Sequence, residues 1–382
     1  MPSPRVLILA AIGILMLTVG ALADARPTAE LMGGRPLGTV QTLSLSPVDP
    51  AKAADDVARA KLQGDPIPFA EPEDLQVTPE SHGTWETLPD PRFVLWRLRV
   101  QADGALSLNA GFDRFRLPKG GRLVIHDASG AGLVHEFTRR DRRDHEQLWT
   151  PVVLTDDLVL ELTLPAESRT DYALRLVRIG KGFRYFGEEL GDKSGACNND
   201  VVCPEGDPWR GEINSVAVYT LNGFWTCSGA MVNNTAEDAT PYFLTADHCG
   251  ISGSNAASMV VYWNFQSPVC GQQGGGSLAD NQTGAIFRAA YGASDMCLVE
   301  LEEMPDPGWD VTYSGWDRRE LDFAGAVAIH HPSTDEKAIS FEDDPTTTTS
   351  YLGTSSPGNG THIRVADWDD GTTEPGSSGS PL

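Results

Sequence analysis

Two short stretches of this sequence contain residue types that could carry out chemistry together. Residues 245–249 (Thr-Ala-Asp-His-Cys) follow an apolar run, which places the imidazole of His248 at the end of a predicted strand. Residues 374–381 place Ser378 between glycines, and glycine permits sharp turns that leave backbone N–H groups uncovered. A fixed base and a serine beside bare amides are what acyl transfer by a serine hydrolase requires.

The third group needed for such chemistry is a carboxylate that orients the histidine. Asp295 is the preferred candidate, because the apolar run that follows it is typical of an acid buried at the start of a strand. The order His248, Asp295, Ser378 is then the chain order of chymotrypsin-like triads. The other available acids are Asp247, Asp280 and Asp310.

The backbone N–H groups of Gly376 and Ser378 are the predicted oxyanion hole, in which each donor typically lowers the barrier by about 3 kcal/mol. Both side chains also have simpler interpretations. His248 could be an ordinary strand-end histidine, and Ser378 could lie in a flexible Gly/Ser turn. The residues flanking His248 and the Gly-x-Ser-Gly-x-Pro frame around the serine favour catalysis.

The first 23 residues have the pattern of a signal peptide: a basic start at Arg5, an apolar run over 6–19 and a small-x-small cleavage site at 21–23. The apolar run is short for a membrane span. We therefore expect a secreted protein that leaves the membrane once the signal is cleaved. In an oxidising compartment the cysteines should form disulfides within one domain, because all six follow residue 190. They are Cys197, Cys203, Cys227, Cys249, Cys270 and Cys297.

Charge and composition exclude several other functions. The chain has 29 Lys+Arg against 53 Asp+Glu and a formal net charge of -24, which disfavours binding to nucleic acid. A zinc site is disfavoured by the lack of a Cys-x-x-Cys pair. His330 and His331 are adjacent on a predicted strand and should point to opposite faces, in structural roles. We expect no cofactor and no metal, a monomer, and protein or peptide substrates.

The elements that must position these residues divide the chain into segments. Residues 24–90 are predicted to be a linker or pro-segment with a short helix at 51–62. Residues 91–181 alternate apolar and polar side chains in short runs, as in a β-sandwich. Residues 182–196 are a charged, glycine-containing junction where proteases could cut. Residues 197–382 contain short apolar strands typical of antiparallel β-barrels with functional loops.

The segment 197–382 resembles the trypsin-like serine proteases, and among them most closely the bacterial lysyl endopeptidases of the Achromobacter protease I type. Residues 91–181 resemble the pro-region of that family more loosely. The motifs that carry the resemblance are residues 197–207 (CNNDVVCPEGD), 245–249 (TADHC), 260–264 (VVYWN), 315–319 (GWDRR), 329–332 (IHHP) and 373–381 (TEPGSSGSP).

The resemblance implies more than the residues do alone. It implies an all-β fold in which a β-sandwich-like pro-domain precedes a trypsin-like double β-barrel, with His248, Asp295 and Ser378 as the triad. It implies maturation by cleavage between Lys193 and Ser194, and hydrolysis after lysine. The implied disulfides are Cys227–Cys249 and Cys203–Cys270.

The sequence also departs from the family. It ends four residues after Ser378, so we expect the second barrel to be incomplete, with the residues that read lysine absent. Thr372 stands where trypsin keeps its acidic specificity residue. Cys297 has no counterpart and is expected to be a buried free thiol. Two hypotheses follow: a secreted serine endopeptidase precursor, or a catalytically inactive secreted β-protein that uses the scaffold for binding.

Overall fold

The computed structural model describes residues 26–184, 195–319 and 323–382. The predicted signal peptide and the predicted processing site, Lys193–Ser194, lie outside the described residues. The described chain is dominated by β-strands, as predicted, and none of its helices combines the length and hydropathy that a membrane span needs. The α-helices are α1 (Thr28–Met32), α2 (Pro50–Gln63) and α3 (Arg210–Ile213).

Helix α2 is the helix predicted at 51–62, and local residues explain both of its ends. The side chain of Asp49 accepts hydrogen bonds from the backbone N–H groups of Ala51 and Lys52, and proline occupies the first helical position. At the other end Gly64 adopts a left-handed conformation with φ 72°. The helix is therefore capped at both ends by residues suited to those positions.

The N-terminal domain is a sandwich of two sheets, one in the order β1-β5-β10-β7-β8 with β4 beside β5, the other in the order β3-β11-β6-β9. One buried core contains residues of both sheets, including Leu98 and Leu160 from the first and Phe112 and Leu176 from the second. The strands up to the junction are β1 (Thr42–Ser44), β2 (Ile67–Pro68), β3 (Ala70–Val77), β4 (Thr84–Thr87), β5 (Phe93–Gln101), β6 (Ser107–Arg116), β7 (Arg122–Asp127), β8 (His135–Thr138), β9 (Leu148–Trp149), β10 (Asp157–Pro165) and β11 (Ala173–Gly182).

Residues 24–90, which were predicted to be a linker or pro-segment, contain several strands in the structure. Strands β1 and β4 both pair with β5, and β3 pairs with β11, so this stretch supplies edge strands to both sheets of the sandwich. The polar and proline-rich composition that suggested a linker is also what edge strands tolerate.

The C-terminal segment is built on a curled sheet in the order β17-β16-β13-β14-β15-β19-β18. A three-stranded sheet, β12-β21-β20, and a two-stranded ribbon, β22-β23, complete it. The strands are β12 (Asn199–Asp200), β13 (Val216–Leu221), β14 (Trp225–Met231), β15 (Tyr242–Thr245), β16 (Val260–Tyr262), β17 (Asn281–Thr283), β18 (Ala285–Tyr291), β19 (Met296–Leu301), β20 (Ala326–His330), β21 (Ala338–Glu342), β22 (Thr347–Thr349) and β23 (His362–Arg364).

The two domains share an apolar interface as well as hydrogen bonds. Phe69, Trp149 and Val152 of the N-terminal domain lie in one buried cluster with Tyr262 and other residues of the C-terminal segment. The backbone N–H of Val152 donates to the Tyr262 hydroxyl at 3.0 Å. Strand β2 extends the contact by pairing with β14, next to the predicted site.

Candidate active site

The structure brings His248 and Asp295 together through strand register. Strands β15 and β19 are antiparallel partners, and Thr245 pairs with Cys297, so residues just beyond this pair meet at one sheet edge. His248 Nδ1 lies 2.7 Å from Asp295 Oδ2, and the backbone N–H of His248 donates to Oδ1 at 2.9 Å. Both carboxylate oxygens therefore hold the histidine, one through its ring and one through its main chain.

Asp295 has an unusual backbone. Its φ is +52°, a left-handed conformation that is uncommon for residues other than glycine. It closes the turn between β18 and β19, and its carbonyl accepts a hydrogen bond from the backbone N–H of Asp247 at 3.1 Å. Non-glycine residues in this conformation concentrate at functional sites, where the surrounding structure enforces them.

The other acids have different partners. Asp280 accepts a hydrogen bond from the side-chain amide of Asn264 at 2.8 Å, and the carbonyl of Asp310 accepts one from Asn214. Among the described residues, the carboxylate that bonds to the His248 ring is therefore that of Asp295.

Tyr351 is a neighbour of Asp295 that the sequence did not reveal. Burial raises the pKa of the Tyr351 phenol, and the charge of Asp295 together with a hydrogen bond to that carboxylate raises it further. The Tyr351 ring also lies 5.3 Å, centroid to centroid, from the ring of His362. Nothing in the local sequence distinguishes Tyr351 from a surface tyrosine, because the contact depends on tertiary structure.

Ser378 lies on a loop, residues 372–380, which we call the serine loop. This loop is hydrogen-bonded to the middle of β14. Ser228 donates twice to this loop, from its backbone N–H to the Ser378 carbonyl and from its hydroxyl to the Gly376 carbonyl, each at 2.8 Å. Gly379 has φ +84°, and a Cβ there would lie 2.1 Å from Thr245 Oγ1. The loop therefore contacts the end of β15, the strand that leads to His248. Among the described residues no hydrogen bond joins the Ser378 hydroxyl to the histidine ring.

The two backbone N–H groups of the predicted oxyanion hole, those of Gly376 and Ser378, have no hydrogen-bond partner among the described residues. Gly376 has φ +104°, and an added Cβ would lie 2.9 Å from the backbone nitrogen of Thr334, so only glycine fits without strain. Two free amides beside a serine can bind an oxyanion.

Glu374 holds the start of this loop and was also missed from the sequence. Its Oε1 accepts hydrogen bonds from the backbone N–H of Gly195 at 2.6 Å and from the side-chain amide of Asn198 at 2.8 Å. Its Oε2 accepts from the Ser333 hydroxyl at 2.6 Å. The serine loop is thus tied to the first described residues after the predicted processing site.

The structure contains two disulfides, Cys203–Cys270 and Cys227–Cys249, which are the pairs that the resemblance implies. The second fixes the corner beside His248 to β14. Cys297 is a buried free thiol whose pKa is raised to about 11, chiefly by burial and also by the charge of Asp247. Across the described ranges, no cluster of histidine, cysteine or acidic residues could hold a metal ion.

Comparison with known proteins gives matches over both domains. The family model of the lysyl endopeptidase C-terminal domain matches residues 191–382, and that of the lysyl endopeptidase N-terminal domain matches residues 52–177. A lysyl endopeptidase of Pseudomonas aeruginosa is 28% identical over 326 residues, which are 78% of this chain and 67% of the relative.

Among solved structures, the active form of the Rv3671c protease from M. tuberculosis aligns with a TM-score of 0.26 and 13% identity, over 51% of this chain and 78% of the other. The inactive form aligns with a TM-score of 0.26 and 12% identity, over 44% and 71%.

Proposed function

Because this chain belongs to the lysyl endopeptidase family, a family of peptidases, we propose that it is the precursor of a secreted serine endopeptidase. The proposal that it cleaves after lysine rests on the family alone. The observation that carries the proposal is the His248–Asp295 pair at the sheet edge against which the Ser378 loop is held. A base with a fixed tautomer, a serine and two free amides at one place are the parts of an acyl-transfer site.

In the proposed mechanism, Asp295 accepts the Nδ1–H of His248, which leaves Nε2 unprotonated. Nε2 takes the proton of Ser378 as the serine oxygen attacks the substrate carbonyl carbon. The amides of Gly376 and Ser378 stabilise the oxygen that becomes negative. His248 then gives its proton to the leaving amine, which forms the acyl-enzyme, and water repeats the sequence to release the acid.

The surroundings of the pair suit this role. The side chains of His248 and Asp295 are 25% and 18% exposed, so the histidine is accessible while its carboxylate partner is partly shielded from water. Partial burial strengthens the attraction between Asp295 and the imidazolium that forms during the reaction. The second hydrogen bond, from the His248 backbone, keeps the carboxylate in place.

The position of β2 supports the proposal that the N-terminal domain is an inhibitory pro-domain. Trp225 and Thr226 of β14 pair antiparallel with Pro68 and Ile67, and the Thr226 hydroxyl donates to the Ile67 carbonyl at 3.2 Å. The serine loop occupies the same edge of β14 two residues further on, at Ser228. The pro-segment thus fills the strand edge along which an extended peptide would approach Ser378. Cleavage after Lys193 would cut the chain between the two domains.

Labelling with a fluorophosphonate tests the proposal. We expect covalent label on Ser378 in the wild type and none in Ser378→Ala. Ser380→Ala is a matched control in the same loop, because the buried Ser380 hydroxyl has no partner among the described residues, and it should still be labelled. Folded protein that takes up no label under conditions that remove the N-terminal domain would refute the proposal and support the binding-module alternative.

A second measurement addresses specificity and maturation. Peptides that differ only in the residue before the cleaved bond should be hydrolysed when it is lysine. Wild-type protein should be cut after Lys193, and Ser378→Ala should remain intact. Hydrolysis after other residues at equal rates would contradict the lysine assignment but leave the serine mechanism in place.

A further inference from the structure

The serine loop is also connected to a buried histidine on the three-stranded sheet. His330 is the last residue of β20, and its side chain is inaccessible to solvent. Its Nδ1 lies 2.8 Å from the hydroxyl of Ser377, the residue directly before the proposed nucleophile. Its Nε2 lies 3.1 Å from the hydroxyl of Ser340 on β21. One imidazole therefore joins the serine loop to two strands.

The position of each proton on the Ser340 side can be deduced. The Ser340 hydroxyl lies 2.7 Å from the carbonyl oxygen of Thr372 and 3.0 Å from its backbone nitrogen. A carbonyl can only accept, so the single hydroxyl proton of Ser340 points to Thr372 O. The Ser340 oxygen then accepts from the Thr372 N–H and from His330. The proton of the neutral imidazole consequently resides on Nε2.

The same reasoning fixes the Ser377 side. With the proton on Nε2, the Nδ1 of His330 is an acceptor, and the Ser377 hydroxyl must donate to it. The Ser377 oxygen accepts in turn from the backbone N–H of Glu374 at 3.2 Å. Each polar atom of this network has a partner, and the hydrogen bonds can point in only one direction while the ring is neutral.

We propose that His330 is a positioning residue for the proposed acyl transfer, and this inference rests on the proposed function. As a neutral Nε2–H tautomer it holds the serine loop at two points, at Thr372 through Ser340 and at Ser377 directly. Gly376 and Ser378 are the two neighbours of Ser377 in the chain, so the contact sets the direction of both oxyanion amides and the location of the nucleophile. His330 does not touch the reacting atoms.

The adjacent His331 shows that this arrangement is specific to one of two buried histidines. His331 is equally inaccessible, but its Nδ1 bonds to the carbonyl of Asp335 at 3.0 Å, and its ring stacks on Phe265. Its Nε2 has no partner among the described residues. The His331 side chain thus packs in the core without a hydrogen bond to the serine loop.

The test compares fluorophosphonate labelling rates per folded molecule in protein that is folded at full length and then freed of its N-terminal domain by an added protease. His330→Leu should react about 10- to 100-fold more slowly than wild type, because small displacements of oxyanion donors and nucleophile have effects of this size. His331→Leu should lose a similar amount of thermal stability and stay within about threefold of the wild-type rate. His330→Asn, whose side-chain oxygen can accept from Ser377 where Nδ1 did, should recover part of the loss.

A double-mutant cycle keeps the inference testable if His330→Leu does not fold. Ser377→Ala removes the hydroxyl that contacts Nδ1 and should itself slow labelling by about tenfold. In the Ser377→Ala background, the further effect of His330→Asn should be smaller than its effect in wild type, because the contact that His330→Asn weakens is already absent. If wild type stays unlabelled after the N-terminal domain has been removed, the proposed function fails. If wild type is labelled and His330→Leu or Ser377→Ala reacts at the wild-type rate, only the role of His330 is overturned.

Discussion

The base and the serine of the candidate site are positioned by different kinds of structure. His248 and Asp295 stand at the ends of two paired strands, so the ladder between β15 and β19 fixes their separation. Ser378 lies on a loop whose place depends on Ser228, Glu374 and the His330 network. Strand register is determined along a whole sheet, whereas a loop depends on each of its side-chain contacts. Variants that change the His248–Asp295 pair and variants that change the serine loop should therefore lose activity in different ways.

The largest effect is expected on the base side. Asp295→Asn should keep the fold and lower kcat by about 10⁴-fold, because an amide in that position favours the wrong histidine tautomer. The fall in kcat is measured from the hydrolysis of a peptide-lysine substrate by the matured protein. Asp280→Asn is the matched control, since that carboxylate is bonded to Asn264, and its rate should stay near wild type. Equal losses in the two variants would argue against Asp295 as the orienting acid.

Acid should destabilise the folded protein through its buried histidines. Burial lowers the pKa of both His330 and His135 to about 4, and the charge of Glu374 opposes this only partly for His330. Between pH 6.5 and 4 the unfolded chain binds protons that the folded chain does not, so the free energy of unfolding falls as pH falls. Each of these two histidines lowers the free energy of unfolding by about 3 kcal/mol across this window, because the folded protein binds its proton only near pH 4.

Urea unfolding at pH 7 and pH 4.5 measures that dependence. His330→Asn should reduce the difference between the two pH values by about a third, because His135 and His331, whose pKa values burial also lowers, remain. A difference unchanged in this variant would show that His330 is not held neutral in the folded protein.

The next largest effect on stability and labelling is expected at the close contact between the serine loop and β15. Gly379→Ala places a Cβ 2.1 Å from Thr245 Oγ1 at a φ of +84°, and it should destabilise the protein by about 2 kcal/mol and displace Ser378. Gly253→Ala is the control, because a Cβ there meets nothing within 4 Å. The temperature of thermal unfolding and the labelling rate should both fall in Gly379→Ala. Neither should change in Gly253→Ala.

The smallest expected effect concerns the tie between Glu374 and the start of the C-terminal segment. Glu374→Gln keeps the shape but weakens the charge-assisted hydrogen bonds from Gly195 and Asn198, at a cost of about 1 kcal/mol. The labelling rate should fall by less than in His330→Leu. A larger loss would mean that Glu374, and not His330, is the main support of the loop.

The sequence predicted the features that depend on local patterns. The strand that ends before His248 and the strand that follows Asp295 were both visible as apolar runs, and the structure forms them as β15 and β19. The helix at 51–62 was predicted from its composition and is present as α2. Local periodicity determines such elements, and it is readable from one sequence.

The contacts that were missed all arise from tertiary structure. Tyr351 reaches Asp295, Glu374 reaches Gly195, and His330 reaches Ser377 only after separate sheets have come together. The edge strands β1 and β4 lie in the stretch predicted as a linker or pro-segment. They were missed for the same reason, because they are short and are stabilised by pairing with β5. No pattern in the surrounding residues signals such pairings.

A crystal structure of the fluorophosphonate adduct is the most direct test of the central claim, which is that Ser378 meets the His248–Asp295 pair. We predict phosphorus on Ser378 Oγ, its free oxygen about 3 Å from the amide nitrogens of Gly376 and Ser378, and His248 Nε2 about 3 Å from Ser378 Oγ. An adduct on another residue, or a Ser378 adduct with His248 turned away and still bonded to Asp295, would contradict the account.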